Sequence, residues 1–209
     1  MSATTTTTAT TSTQTTRATK TNTATRANPA TASTEEKQNP GQLNSVQLNV
    51  VTLVNMERAT ASGSLTDSMY MMDNSIGGSG QGTSRLETVC KQGQVINWII
   101  RPIDMEKRLD GSWPPMPKIN NIVFLDTEAG DDEDVAEHKL CTELKIYGMP
   151  DRMRSPLTPV YYYWAGVVLS TAKPGLYHYR LLLELEQEHS KEKVYLNTVQ
   201  HPALRVIGI

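Results

Sequence analysis

Gly175-Leu176-Tyr177-His178-Tyr179-Arg180-Leu181-Leu182-Leu183-Glu184-Leu185-Glu186 carries the clearest pattern in the chain. Tyr177, Tyr179, Leu181, Leu183 and Leu185 fall on one side of a period of two, and His178, Arg180, Glu184 and Glu186 fall on the other. Successive side chains of a strand leave opposite faces of its sheet, so this pattern predicts a half-buried β-strand. Pro174-Gly175 turns the chain into it.

The same period recurs on both sides of that segment. Val46 to Val54 is a mostly apolar strand, and Asp67 to Asp73 sets Met69 and Met71 against Tyr70 and Met72. Leu86, Thr88 and Cys90 oppose Arg85, Glu87 and Val89 within 84–91. Ile96, Trp98 and Ile100 oppose Asn97, Ile99 and Arg101 within 94–101. Further strands are expected at 119–125, 140–147, 160–171, 194–199 and 204–209. About ten short strands, Gly/Pro turns and no 3.6-residue period sustained over three turns predict an all-β domain, a jelly-roll-like antiparallel β-sandwich spanning 45–209.

Residues 1–44 read differently. Ser2 to Gln42 contains no Leu, Ile, Val, Met or aromatic residue, and Arg17, Lys20 and Arg26 are the only charges in the first 34 residues. A Thr/Ala/Ser segment with nothing to bury cannot offset its ordering entropy, so a disordered tail acting as a tether is expected. It lacks the apolar face of a transit peptide and the apolar run of a signal peptide. No stretch approaches the roughly 20 apolar residues of a membrane helix. The expected setting is therefore cytoplasmic, without a membrane partner. A net charge of −2 argues against broad attraction to nucleic acid. Two cysteines, Cys90 and Cys141, in alternating apolar stretches read as reduced core residues.

Chemistry-bearing motifs are sparse. His138 and Cys141, three apart on a strand, point to opposite faces and make no zinc site. The acidic run with Asp131, Asp132 and Asp134 offers the carboxylates Ca²⁺ prefers but lacks EF-hand spacing, and reads as a solvated connection. Gly77-Gly78-Ser79-Gly80-Gln81-Gly82 ends in Thr83-Ser84 and leads into a strand, where a phosphate loop would open a helix. None of the four histidines sits in a catalytic motif, and there is no G-x-S-x-G elbow. No catalytic residue and no cofactor is expected. Trp113, heading Pro114-Pro115-Met116-Pro117, either covers one end of the sandwich or stacks on a ligand such as a sugar ring. Met69, Met71 and Met72 cannot all face one core from one strand. Together with the two-faced aromatic segment holding Tyr161 and Tyr163, they mark an expected self-association surface.

Several segments together resemble the AidA/PixA inclusion-body protein family. They are Leu48-Asn49-Val50-Val51, Ser68-Met69-Tyr70-Met71-Met72-Asp73-Asn74-Ser75, Gly80-Gln81-Gly82-Thr83, Leu86-Glu87-Thr88, Gly93-Gln94-Val95-Ile96-Asn97-Trp98, Arg101-Pro102-Ile103-Asp104 and Pro174-Gly175-Leu176-Tyr177-His178-Tyr179. The likeness covers about 46–209 and none of the tail. These motifs are turns and core strand residues, and Gln200-His201-Pro202-Ala203 stands where the family ends in an aromatic-Asp-Pro-like segment. The resemblance implies a fold and a habit of association as a homo-oligomer, with some family members accumulating as cytoplasmic inclusions, and it implies no reaction. A carbohydrate- or small-ligand-binding module is the alternative expectation.

Overall fold

Ten strands and one short helix follow in the order β1 (Gln47–Val54), α1 (Met56–Ser62), β2 (Met69–Asp73), β3 (Glu87–Lys91), β4 (Val95–Pro102), β5 (Lys118–Phe124), β6 (Lys145–Tyr147), β7 (Tyr163–Val167), β8 (Gly175–Glu186), β9 (Lys193–Asn197) and β10 (Ala203–Ile207). The computed structural model describes residues 47–125, 140–148, 162–199 and 202–208. The expected tail, Tyr161 and the acidic run with Asp131, Asp132 and Asp134 lie outside the described residues.

Two sheets form. The first has the order β2-β1-β4-β7-β6, and the second β3-β10-β8-β5, with β9 also paired to β8. The long β8 is the spine of the second sheet. Gly175–His178 pairs with β10, and Leu182–Glu186 with β9. On the other edge of β8, Tyr179–Glu184 pairs with β5 across a bulge at Ile119/Asn121. The alternation seen in the sequence is realised there, since Tyr179, Leu181, Leu183 and Leu185 are fully buried. Tyr177 is only half-buried, at the end where the strand meets the 174–175 turn.

The sheets are mixed, which corrects the antiparallel expectation. β1 runs parallel to β4, and β10 parallel to β3, while the remaining pairs are antiparallel. Side-chain alternation reports which face a residue occupies and is blind to the direction of the neighbouring strand. A parallel neighbour needs a long crossover, and the chain provides one by visiting other strands between β1 and β4 and between β3 and β10.

One core lies between the sheets. Leu48, Val50 and Val54 of β1 and Ile96, Trp98 and Ile100 of β4 meet the β8 leucines, with Ile119, Ile122, Leu204 and Val206. Trp98 crosses the gap, packing edge-on against Tyr179 (ring centroids 6.0 Å apart) and against Phe124 (6.3 Å). Fully burying such side chains is worth about 1.5–3 kcal/mol each.

α1 has two turns, too short for the three-turn pattern sought in the sequence, but its ends are marked. Asn55 caps it, its Oδ1 accepting from the Arg58 N–H at 3.0 Å, and Gly63 ends it at φ 65°. Ala59 is its buried contact with the body.

The glycine-rich run is structural. Ser79 and Glu87 exchange backbone hydrogen bonds (3.1 and 2.8 Å), the Met71 N–H donates to the Thr83 carbonyl (3.1 Å), and the Gly82 N–H donates to the Met71 carbonyl (2.7 Å). The run thereby ties β2 of the first sheet to β3 of the second. The Ser79 and Gly82 amides are thereby engaged with carbonyls and not free to hold an anion.

Candidate functional site

The outward faces of the two sheets differ, although the second also exposes Tyr195, 59% accessible beside Glu184. On the second sheet, outward side chains form ion pairs. Glu184 meets Lys193 at 2.9 Å and Lys118 at 3.9 Å, and the Arg205 guanidinium grips Glu87 through two bonds of 2.6 and 2.9 Å. Arg205 holds the Glu87 carboxyl below the usual range, chiefly by hydrogen bonding, and Lys193 does the same for Glu184. This face suits water.

The first sheet turns a different row outward. Register pairs Met72 with Val51, Val51 with Ile99, Ile99 with Tyr163, and Tyr163 with Tyr147, so one uncharged row crosses all five strands. Tyr147 and Tyr163 stack with centroids 5.1 Å apart and ring planes 12° apart. Met72 is 39% exposed and Tyr147 45% exposed, with Val51, Ile99 and Tyr163 half-buried between them. Tyr70, Leu53 and Arg101 form the next row on one side. On the other side lie Asn49, Asn97, Ala165 and Lys145, where the Asn97 side-chain amide donates to Asn49 Oδ1 at 2.9 Å. β6 is the end strand of this sheet, and its three residues are all exposed.

Two of the expected association residues are withdrawn. Met69 and Met71 are 2% and 0% exposed, because their side of β2 faces the core. Met72 and Tyr163 stay on the surface row. Val51, Ile99 and Tyr147 were missed by sequence reading. Their one signal was the apolar character of both faces of β1, which does not reveal which residues of other strands align with it.

A second feature is a cleft of about 560 Å³ where α1, the segment after β4 and the β8–β9 turn converge, with Met56, Ile103, Pro114 and Pro115 as apolar walls. Arg108 braces it, donating to both carboxylate oxygens of Glu188 (2.7 Å for Nη2 to Oε2) and to Asp104 at 2.7 Å. These hydrogen bonds hold both carboxyls below their usual range. Trp113, the expected stacking residue, precedes Pro114 in the chain but does not line the cleft; it is half-buried, with Lys107 Nζ 5.9 Å from its ring centre, so part of the ring is already covered.

Cys90 and Cys141 are buried, and burial pushes both thiols up to about 12. Among the described residues, no cluster of His, Cys, Asp or Glu could hold a metal ion. No helix among them is long and apolar enough to cross a membrane.

A family model described as a domain of unknown function (DUF8788) matches residues 46–110, which run from β1 through β4 to the loop bearing Arg108. No curated protein matches the chain. Among solved structures, the crystal structure of the inclusion body protein PixA from Burkholderia cenocepacia J2315 is similar at a TM-score of 0.50 and 9% identity, covering 78% of this chain and 94% of that one. At 9% identity the likeness is one of fold alone.

Proposed function

We propose that this chain is a non-enzymatic, self-associating protein with a storage or assembly role, acting in the cytoplasm as its own partner. The observation that carries this reading is the contrast between the two outward faces. One carries ion pairs, and the other carries the Met72–Val51–Ile99–Tyr163–Tyr147 row, exposed at its two ends and half-buried between them. An uncharged row that reaches solvent at both ends of a sheet is a place where a protein contact is expected. The fold likeness to a protein named for inclusion bodies points the same way. Light scattering coupled to size exclusion, from micromolar to millimolar concentration, tests it. Mass that grows with concentration is expected, and a monomer throughout refutes it.

The cleft walled by Met56, Ile103, Pro114 and Pro115 favours a second reading, a module that binds a carbohydrate or another small ligand. Its volume lies in the range of small-molecule sites. A glycan-array screen with and without Ca²⁺ that returns no hit removes this alternative.

A further inference from the structure

We propose that the cleft between α1, the segment after β4 and the β8–β9 turn takes a small amine, a ligand that carries a positive charge on an apolar body. The inference rests on the ligand-binding reading of that cleft and is independent of self-association. A cavity of about 560 Å³ has room for such a molecule. Its walls are apolar on three sides. Met56 and Ala61 come from α1, Ile103 from the segment after β4, and Pro114 and Pro115 from the run before β5. No Trp, Tyr or Phe ring is found among the described residues that line it, so the platform on which a sugar ring would stack is missing. Of the ligands the second reading admits, these walls suit a hydrocarbon body.

Charge selects the head group. Glu57, Asp104, Glu186 and Glu188 line the cleft together with Arg108 and His189. Arg108 is not available to an incoming anion. Its Nε and Nη2 donate to Glu188, Nη2 donates also to Asp104, and Nη1 reaches the Glu106 carbonyl at 3.5 Å. The same hydrogen bonds hold the Asp104 and Glu188 carboxyls below their usual range, so two ionised carboxylates share one guanidinium. Glu186 meets Lys191 Nζ at 3.6 Å, at the exposed side of the turn. Glu57 lies in the first turn of α1, where its backbone carbonyl accepts from Thr60 Oγ1 and its carboxylate has no partner among the described residues. Even with Lys191 counted, four carboxylates face two cationic side chains. An ammonium donates three hydrogen bonds and accepts none, which matches walls that offer carboxylate acceptors. A carboxylate or phosphate ligand would meet the same negative excess and find the guanidinium already engaged.

Three probes of similar shape and different charge separate head from body. They are phenethylamine, phenethyl alcohol and phenylacetate, each titrated into the full-length chain at neutral pH and followed by amide chemical shifts. Molecules this small bind with dissociation constants on the order of 10 mM. The amine should shift the amides of Glu57, Ile103 and Gln187, with a constant at least about fivefold below that of the alcohol, and phenylacetate should leave them in place. Glu57→Gln should weaken the amine about threefold, and Glu57→Gln with Glu186→Gln about tenfold, with the alcohol unchanged within about twofold. Unshifted amides of Trp98 and Leu181 in the core verify that the variants stay folded. Equal weakening of amine and alcohol would assign these carboxylates to the shape of the cleft and overturn the proposal. Binding of the alcohol or of phenylacetate as tight as that of the amine would also overturn it, while leaving a cleft that takes small ligands by its walls. Silence from all three probes overturns it too, and together with an empty glycan array removes the ligand reading itself.

Discussion

Three glycines of one loop separate backbone strain from steric conflict. Gly82 has φ 77° with open space where a Cβ would stand. Gly78 has no positive φ, but its Cβ would lie 2.5 Å from the Glu87 carbonyl oxygen and 2.7 Å from Ser75 Oγ. Gly80 combines both, at φ 73° with its Cβ against the Arg85 carbonyl oxygen. Alanine in the left-handed region loses about 1–2 kcal/mol, partly offset by about 0.4–1 kcal/mol from restricting the unfolded chain. Gly82→Ala should therefore destabilise by about 1 kcal/mol or less. Pressing a methyl group into packed backbone adds about 1–3 kcal/mol. The atoms met at Gly78 and Gly80 belong to the strap between the sheets, where Ser79 and Glu87 are hydrogen-bonded and cannot swing aside. Gly80→Ala should lose about 2–4 kcal/mol, and Gly78→Ala should fall between the two. Urea unfolding followed by Trp fluorescence, with the slope unchanged, reads these values. In melting temperature, about 2–4 °C per kcal/mol is expected for a body of this size. Equal effects at Gly80 and Gly82 would show that the strap yields freely, and the account of it as a tie between the sheets would fail.

Other outcomes follow from single features. Thr52 is fully buried on β1, and its Oγ1 has no hydrogen-bond partner among the described residues, so Thr52→Val should stabilise by about 0.5–1.5 kcal/mol in urea titration. Glu87, Glu184, Glu188 and Asp104 are all held below their usual range when folded. Their contribution is present above the unfolded values, about 4 for carboxylates, and is lost as pH falls through the lower folded values. The urea midpoint should therefore drop on going from pH 5 to pH 3, and a midpoint independent of pH there would contradict the ion-pair geometry. Cys90 and Cys141, buried and with thiols raised to about 12, should resist a thiol reagent at pH 8 and react together on denaturation. Reaction of either in the native protein would show local opening of the core. Gly166→Ala brings a Cβ within 2.6 Å of Leu144 Cδ2 and 3.1 Å of Cys141 Cβ. It should lower the melting temperature by several degrees by scanning calorimetry.

Strand positions were legible in the sequence because alternation is local. From β1 to β10, each strand formed within or beside an expected segment, and β8 buried the leucines its pattern assigned inward. Met69 and Met71 show where that legibility stops. Alternation separated them from Tyr70 and Met72 but carried no sign saying which pair looked toward the core. Trp113 was a similar case, since nothing local places Lys107 over its ring. The cleft, built from α1, the segment after β4 and the β8–β9 turn, was not legible at all, because its walls come from segments far apart in the chain.

Composition and period by themselves determined that the body is β-rich, that its strands are short, and that several are apolar on both faces. Those properties depend on neighbours one or two residues away. Only the tertiary structure decided that β1 and β3 have parallel partners, and that Met72, Val51, Ile99, Tyr163 and Tyr147 stand in one row. Register is settled by hydrogen bonds between strands distant in sequence, and a slip of one residue would turn each strand's outward set inward. The surface on which the functional proposal rests therefore exists only once the five strands are aligned.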